Sequence, residues 1–189
     1  PIGKKFQEEE MLPFLYKKMK DKNWEMIPYV YSKSGETPDH GIKTFLDSPR
    51  YSSGYASLHH CWTFMPEAHM LKPYADRVYS TLAFLESMSS FIAENAQKIL
   101  LTRKLWKKST REQTIFHLDY ILDENKVDSI EFKGYQASHK PSEITGHKRL
   151  YYDKDKPYVK TIPYYSHYVP NLSVVKPKAY IVPQAYKEI

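Results

Sequence analysis

The residues best equipped for chemistry lie between Pro49 and Tyr74, in the stretch PRYSSGYASLHHCWTFMPEAHMLKPY. It holds the neighbours Arg50 and Tyr51, the histidines His59, His60 and His69, the single cysteine Cys61, and the carboxylate Glu67. Cys61 to Met65 reads as a buried strand of β-branched, aromatic and apolar residues. Pro66 cannot donate to a ladder and ends it. Glu67 then sits just past a strand end, where function gathers in open α/β sheets, and a carboxylate there is a candidate general acid or base. The competing reading is a solvated loop carboxylate or salt-bridge partner. Glu67-x-His69 is not a metal-ligand spacing, and His69 reads more readily as a capping or packing histidine. His59, His60 and Cys61 are consecutive, so on a helix they point apart and are not expected to share a metal.

The elements that must position these groups follow from their neighbours. Ser52, Ser53 and Gly54 read as a turn, since Gly tolerates positive φ and Ser bonds its own backbone. Tyr55 to His60 reads as a short helix. After Glu67, Pro73 suits the first turn of a long helix over about 73–108. Val78, Leu82, Leu85, Ser89, Ile92, Ala96, Ile99, Arg103 and Trp106 recur there at spacings of three and four, which predicts one packed stripe.

A tyrosine in a Ser/Gly turn, a short helix, a strand ending in Glu and then a helix: this order resembles the last third of a carboxypeptidase A-like zinc carboxypeptidase domain. The wording PRYSSGYASL and FMPEAHMLKPY is similar to a bacterial branch of that family, as are GIKTFLDSPRYSSGY, SEITGHKRLYYDKDKPY and KPKAYIVPQAY. The resemblance implies Glu67 as the general base and Tyr51 as the tyrosine that closes over the substrate, with a shorter Tyr51-to-Glu67 spacing than in the animal digestive enzymes. Arg50 would steer the substrate carboxylate. It further implies a peptide substrate, Zn²⁺ in the intact parent protein, and a secreted or periplasmic location.

The zinc motif itself is not in this chain. The family's ligands are two His and one Glu, the first pair as H-x-x-E. None of the eight histidines has Glu three residues on, and H-E-x-x-H is also absent. The resemblance places the ligands and the carboxylate-binding arginine ahead of the matching region, and continues the β region past Ile189. The chain is therefore expected to be an excerpt that holds no zinc alone and completes its site with a missing N-terminal part. The alternatives are a non-catalytic peptide- or glycan-binding or structural module, or a degenerate family member.

The remaining sequence sets the fold class. Residues 5–22 predict a helix presenting Leu12, Tyr16 and Met19, with Pro13 in its first turn. WEMIPYVY (24–31) reads as a strand. Residues 32–48 read as a loop tucked onto the core by Ile42, Phe45 and Leu46. From about residue 110 the pattern changes to short runs of period two, and ten of the 17 tyrosines lie there. The expected architecture is the α/β portion of a zinc-carboxypeptidase-like domain over 1–109, then a β-rich, sandwich-like domain over 110–189. The net charge of +6 is spread as +4 over 1–110 and +2 over 111–189. With no nucleic-acid-binding motif beside it, that spread predicts a solvated basic surface rather than a nucleic-acid partner. No run of 18 apolar residues exists, so no membrane span is expected. One cysteine excludes an intrachain disulfide.

Overall fold

The computed structural model describes residues 2–186. Its amino-terminal arm is one helix in three parts: α1 (Ile2–Phe6), a π-helical turn (Gln7–Met11) and α2 (Leu12–Asp21). Pro13 accounts for the interruption. It lacks an N–H, and its ring crowds the carbonyl four residues back. The turn before it widens, so that Leu12 N–H donates to Gln7 O five residues away. Asn23 closes the helix at φ 62°, with Trp24 N–H donating to Met19 O and Asn23 N–H to Lys20 O, both at 2.9 Å. This is a Schellman closure.

The arm lies along α4 (Tyr74–Glu112), a helix of 39 residues with Pro73 as its N-cap. The buried positions are Ala83, Phe84, Ser87 and Phe91. They pack against Met11, Leu15 and Met19 of the arm, with Phe14 edge-on to Phe91 at 5.2 Å. The expected stripe is therefore displaced. On α4, Val78, Leu82, Leu85 and Ile92 are exposed, and on the arm Met11 and Leu15 replace Leu12 and Tyr16 as the buried residues. Ser87 is polar yet 1% exposed, because its hydroxyl donates to Ala83 O of its own helix at 2.7 Å. At Asn95 the helix breaks (φ −122°, ψ 16°), and the Asn95 amide donates to Phe91 O at 3.0 Å.

The expected strand over 61–65 does not pair. The segment is extended, and Trp62 and Phe64 turn inward onto Phe6, Trp106 and Phe84 while Thr63 and Met65 are exposed. The alternation that reads as a strand is satisfied by packing on helices, with no neighbouring strand. Residues 24–30 behave likewise, with Trp24 and Met26 on the core. In this half only β1 (Tyr31–Ser32) and β2 (Ile42–Lys43) are strands. Ile42 is buried, whereas Phe45 and Leu46 are about half exposed.

The second half forms β3 (Ile115–Leu122), β4 (Asp128–Pro141), β5 (Lys148–Tyr165) and β6 (Tyr168–Val175). β4 and β5 make a long antiparallel ribbon, turned at Gly146 (φ 69°), whose N–H donates to Ser142 O at 2.8 Å. The ladder is interrupted between Tyr135, opposite Pro157, and Gln136, opposite Asp153, so that Lys154, Asp155 and Lys156 loop out. β3 and β6 form a separate ribbon. The sandwich expectation is corrected here: the strand residues are mostly exposed on both faces, so the ribbons do not share a buried layer. The expected boundary at 110 is also crossed, because β2 pairs in parallel with the end of β5, giving the order β1-β2-β5-β4. Ion pairs cross it as well: Glu25 with Lys133, Glu36 with His139, Asp39 with Lys160. The whole is a mixed α/β chain. Among the described residues, no helix is long and apolar enough to cross a membrane.

Candidate functional site

Tyr51 is the N-cap residue of α3 (Ser52–Leu58). Its N–H donates to Ser48 O at 2.9 Å, and its carbonyl accepts from Tyr55 N at 2.8 Å. Ser52, Ser53 and Gly54 are the helix's first turn rather than a turn before it. Gly54 is needed here for space, not for positive φ. A Cβ would stand 2.2 Å from Ser48 O and 2.5 Å from Asp47 O, both backbone atoms. Ser53 Oγ donates to the Asp47 carboxylate, which fixes the same junction. The Tyr51 ring stands edge-on to Phe45 at 5.1 Å and is 45% exposed. Arg50 lies in the preceding turn and is exposed.

The segment that delivers Glu67 is anchored at both edges. Trp62 Nε1 donates to Gly3 O at 2.8 Å, and Thr63 Oγ1 donates to Ser53 O at 3.4 Å. The second bond ties it to the first turn of α3. Glu67 itself is exposed and enters none of the ion pairs found among the described residues. His69 Nδ1 accepts from Leu71 N at 3.2 Å, a bond within its own turn. One hydrogen bond thus links Thr63, four residues before Glu67, to Ser53, two residues after Tyr51, while neither Arg50 nor Tyr51 hydrogen-bonds to the carboxylate.

Zinc does not fit these residues. Among the described residues no three His, Cys, Asp or Glu side chains come together as a metal site. His59 and His60 diverge, His59 toward Tyr55 at 4.9 Å and His60 toward Trp106 at 5.1 Å.

Two concavities escape a reading by sequence motif. One, of about 350 Å³, lies between the 36–39 turn and the β4–β5 ribbon and is lined by Glu36, Asp39, His139, Tyr158 and Lys160. Its charges are mutually neutralised: His139 Nε2 lies 2.9 Å from Glu36 and Lys160 Nζ 2.7 Å from Asp39. Bonding to Lys160 holds the Asp39 carboxyl below its usual range. The second, of about 410 Å³, is lined by His59, His60, Lys107, Thr110 and Arg111 with Leu58. The only signal for it in the sequence is the modest basic cluster Arg103–Arg111; its histidine wall comes from 50 residues upstream.

Comparison with known proteins finds no family model, no curated protein and no solved structure that matches the chain.

Proposed function

We propose that this chain contributes the proton-handling part of a peptide-hydrolysing site of the zinc carboxypeptidase class, with the zinc ligands outside it. The observation that supports the reading is the Thr63–Ser53 bond, which joins the segment carrying exposed, unpaired Glu67 to the turn carrying exposed Tyr51. Glu67 would take a proton from the water attacking the scissile carbonyl. The C–N bond breaks as that proton passes to the leaving amine, so the carboxylate is regenerated. The Tyr51 hydroxyl would donate to the bound peptide, and Arg50 would draw in its terminal carboxylate. A secreted or periplasmic setting and a peptide substrate belong to the same reading.

The alternative, a peptide- or glycan-binding module, draws on the tyrosines exposed along the β4–β5 ribbon. The exposed ones are Tyr135 and Tyr152, whereas other tyrosines of the ribbon are partly covered by lysines. Lys140 covers Tyr151 at 3.3 Å, Lys160 covers Tyr158 at 4.1 Å and Lys33 lies 5.4 Å from the Tyr165 ring.

The test is Glu67→Gln in the full-length protein, assayed by release of C-terminal residues from a peptide panel. Loss of a positioned general base lowers the rate by about 10²–10⁴-fold. Tyr51→Phe costs far less, about one hydrogen bond's 0.5–1.5 kcal/mol. Cleavage at the wild-type rate by Glu67→Gln removes Glu67 from the mechanism. Peptide binding unaffected by either change, without cleavage, selects the binding module.

A further inference from the structure

The concavity beside the last turns of α4 has the opposite character to its neutralised counterpart. It contains no carboxylate. Lys107 and Arg111 lie one turn apart on α4, and the Thr110 hydroxyl between them donates to Trp106 O of its own helix at 3.1 Å. Arg103, a further turn back, reaches the same wall, with Nη2 at 3.3 Å from Cys61 Sγ and 3.5 Å from His59 O. Its Nε is buried without a hydrogen-bond partner. Lys176 donates to Arg111 O at 3.0 Å, adding another cation at the helix end. Arg103, Lys107 and Arg111 enter no ion pair among the described residues, whereas the adjacent Lys108 is paired with Glu112. Basic residues in a last turn complement the helix dipole, but that effect fades within one turn and does not account for Arg103.

The opposite wall is built with local strain. His60 adopts φ 58°, a conformation costly for a side-chain-bearing residue, and so turns its ring into the concavity rather than back along α3. Its ring packs edge-on to Trp106, and Nε2 lies 3.0 Å from Thr110 Oγ1. Burial, and then the positive charges of Lys107, Arg103, His59 and Arg111, hold the His60 pKa below the ordinary histidine value. The charged side chains lining the concavity beside this imidazole are cations, and no carboxylate is among the lining residues.

We propose that this concavity is a binding site for a phosphate group, with Lys107, Arg111 and His60 as its ligands. A phosphate monoester brings close to two negative charges and three acceptor oxygens. The clustered cations match that demand better than they match a single carboxylate. The volume lies in the range of small-molecule pockets. The site shares no residue with Arg50, Tyr51 and Glu67, so its test is independent of the peptidase reading. An anion on the wall raises the His60 pKa, so the imidazole takes up a proton as the ligand binds.

The experiment follows the histidine ring resonances of the full chain by NMR during titration with inorganic phosphate, a phosphomonoester and sulfate. Sulfate keeps its double charge between about pH 5 and 8, so its pH dependence reports the protein's histidines rather than its own ionisation. His60 should shift saturably, its titration midpoint should rise in the bound state, and sulfate binding should tighten as the pH falls. Lys107→Met and Arg111→Met replace exposed side chains, and each should weaken binding about 10–100-fold, the loss of one charge-assisted hydrogen bond. Phosphomonoester binding well above inorganic phosphate identifies an organic phosphate as the ligand, and equal binding identifies free phosphate. No saturable His60 shift at millimolar phosphate overturns the proposal. So does unchanged affinity in both methionine variants. Much tighter, steeply salt-dependent binding of a single-stranded oligonucleotide would replace it with a nucleic-acid track.

Discussion

Gly54→Ala sets two effects of opposite sign against each other. Gly54 is the third residue of α3 and has an ordinary helical φ. On propensity alone, alanine there stabilises the helix by about 1 kcal/mol. The packing opposes it. The new methyl carbon would stand 2.2 Å from Ser48 O and 2.5 Å from Asp47 O. Ordinary carbon–oxygen contact is roughly 1 Å longer. No rotamer change can relieve the overlap, because both obstacles are backbone. The 47–48 turn must retreat, and it holds the Tyr51 N–H bond and the Ser53–Asp47 bond. Overpacking of this kind costs about 1–3 kcal/mol, and the lost turn bonds add to it, so the clash wins. The expected result is a net loss of about 1–3 kcal/mol in urea unfolding, with unchanged m-value, and a displaced Tyr51. Ala56→Gly, elsewhere in α3, is the control and should lose about 1 kcal/mol through propensity alone. A Gly54→Ala protein as stable as the wild type, or more so, refutes the close approach.

Two further outcomes follow from the core. Burial, then the nearby Tyr16, Asp128, Glu8 and Tyr168, push the Tyr164 pKa up to about 12. The neutral phenol is therefore favoured on folding. Its stabilisation is complete below the unfolded value near pH 10 and lost as the pH rises toward 12. After allowance for screening at this partly exposed group, that is about 1 kcal/mol. Stability measured from pH 9 upward should fall less steeply in Tyr164→Phe, and identical slopes refute the assignment. Phe91→Ala empties a site that is 2% exposed and touches Phe6 and Phe14. It should cost about 3–5 kcal/mol in denaturant unfolding, and a loss below about 1 kcal/mol places the core elsewhere.

The long helix was legible because three-and-four spacing persists over many turns, but its buried side was not. α4 carries apolar residues on more than one face, and the arm selects the one with small Ala83 and Ser87, which let the helices approach. Ser87 counts as polar in any pattern, since its bond to its own helix is invisible in sequence. Residues 61–65 illustrate a different ambiguity. Alternation records which side chains turn inward, not whether a strand lies alongside, and Trp62 and Phe64 find helices instead. At the candidate site, Pro66 marked Glu67 as lying past the end of the extended segment, in loop. The Thr63–Ser53 bond needed the fold. The phosphate-type concavity was hidden because His60 meets Thr110 across 50 residues, through a backbone conformation that histidine seldom adopts.

The interruption in the β4–β5 ladder divides the ribbon into two units of unequal permanence. Inward of Tyr135 and Pro157, Ile162 is buried and β5 is flanked by β2 at Tyr164 and Tyr165, so opening there must disturb the core. Outward of Gln136 and Asp153, the two strands pair only with each other, and a lone two-stranded hairpin is marginal in water. The looped-out Lys154–Lys156 removes the continuous ladder that would transmit cooperativity between them. The outer ribbon can therefore open and close while the rest of the molecule stays folded, placing its amides at the low end of the protein's range of local opening free energies. The His139–Glu36 pair is an exposed contact that ties this outer part back to the body, so its loss would free the ribbon tip without touching the buried core.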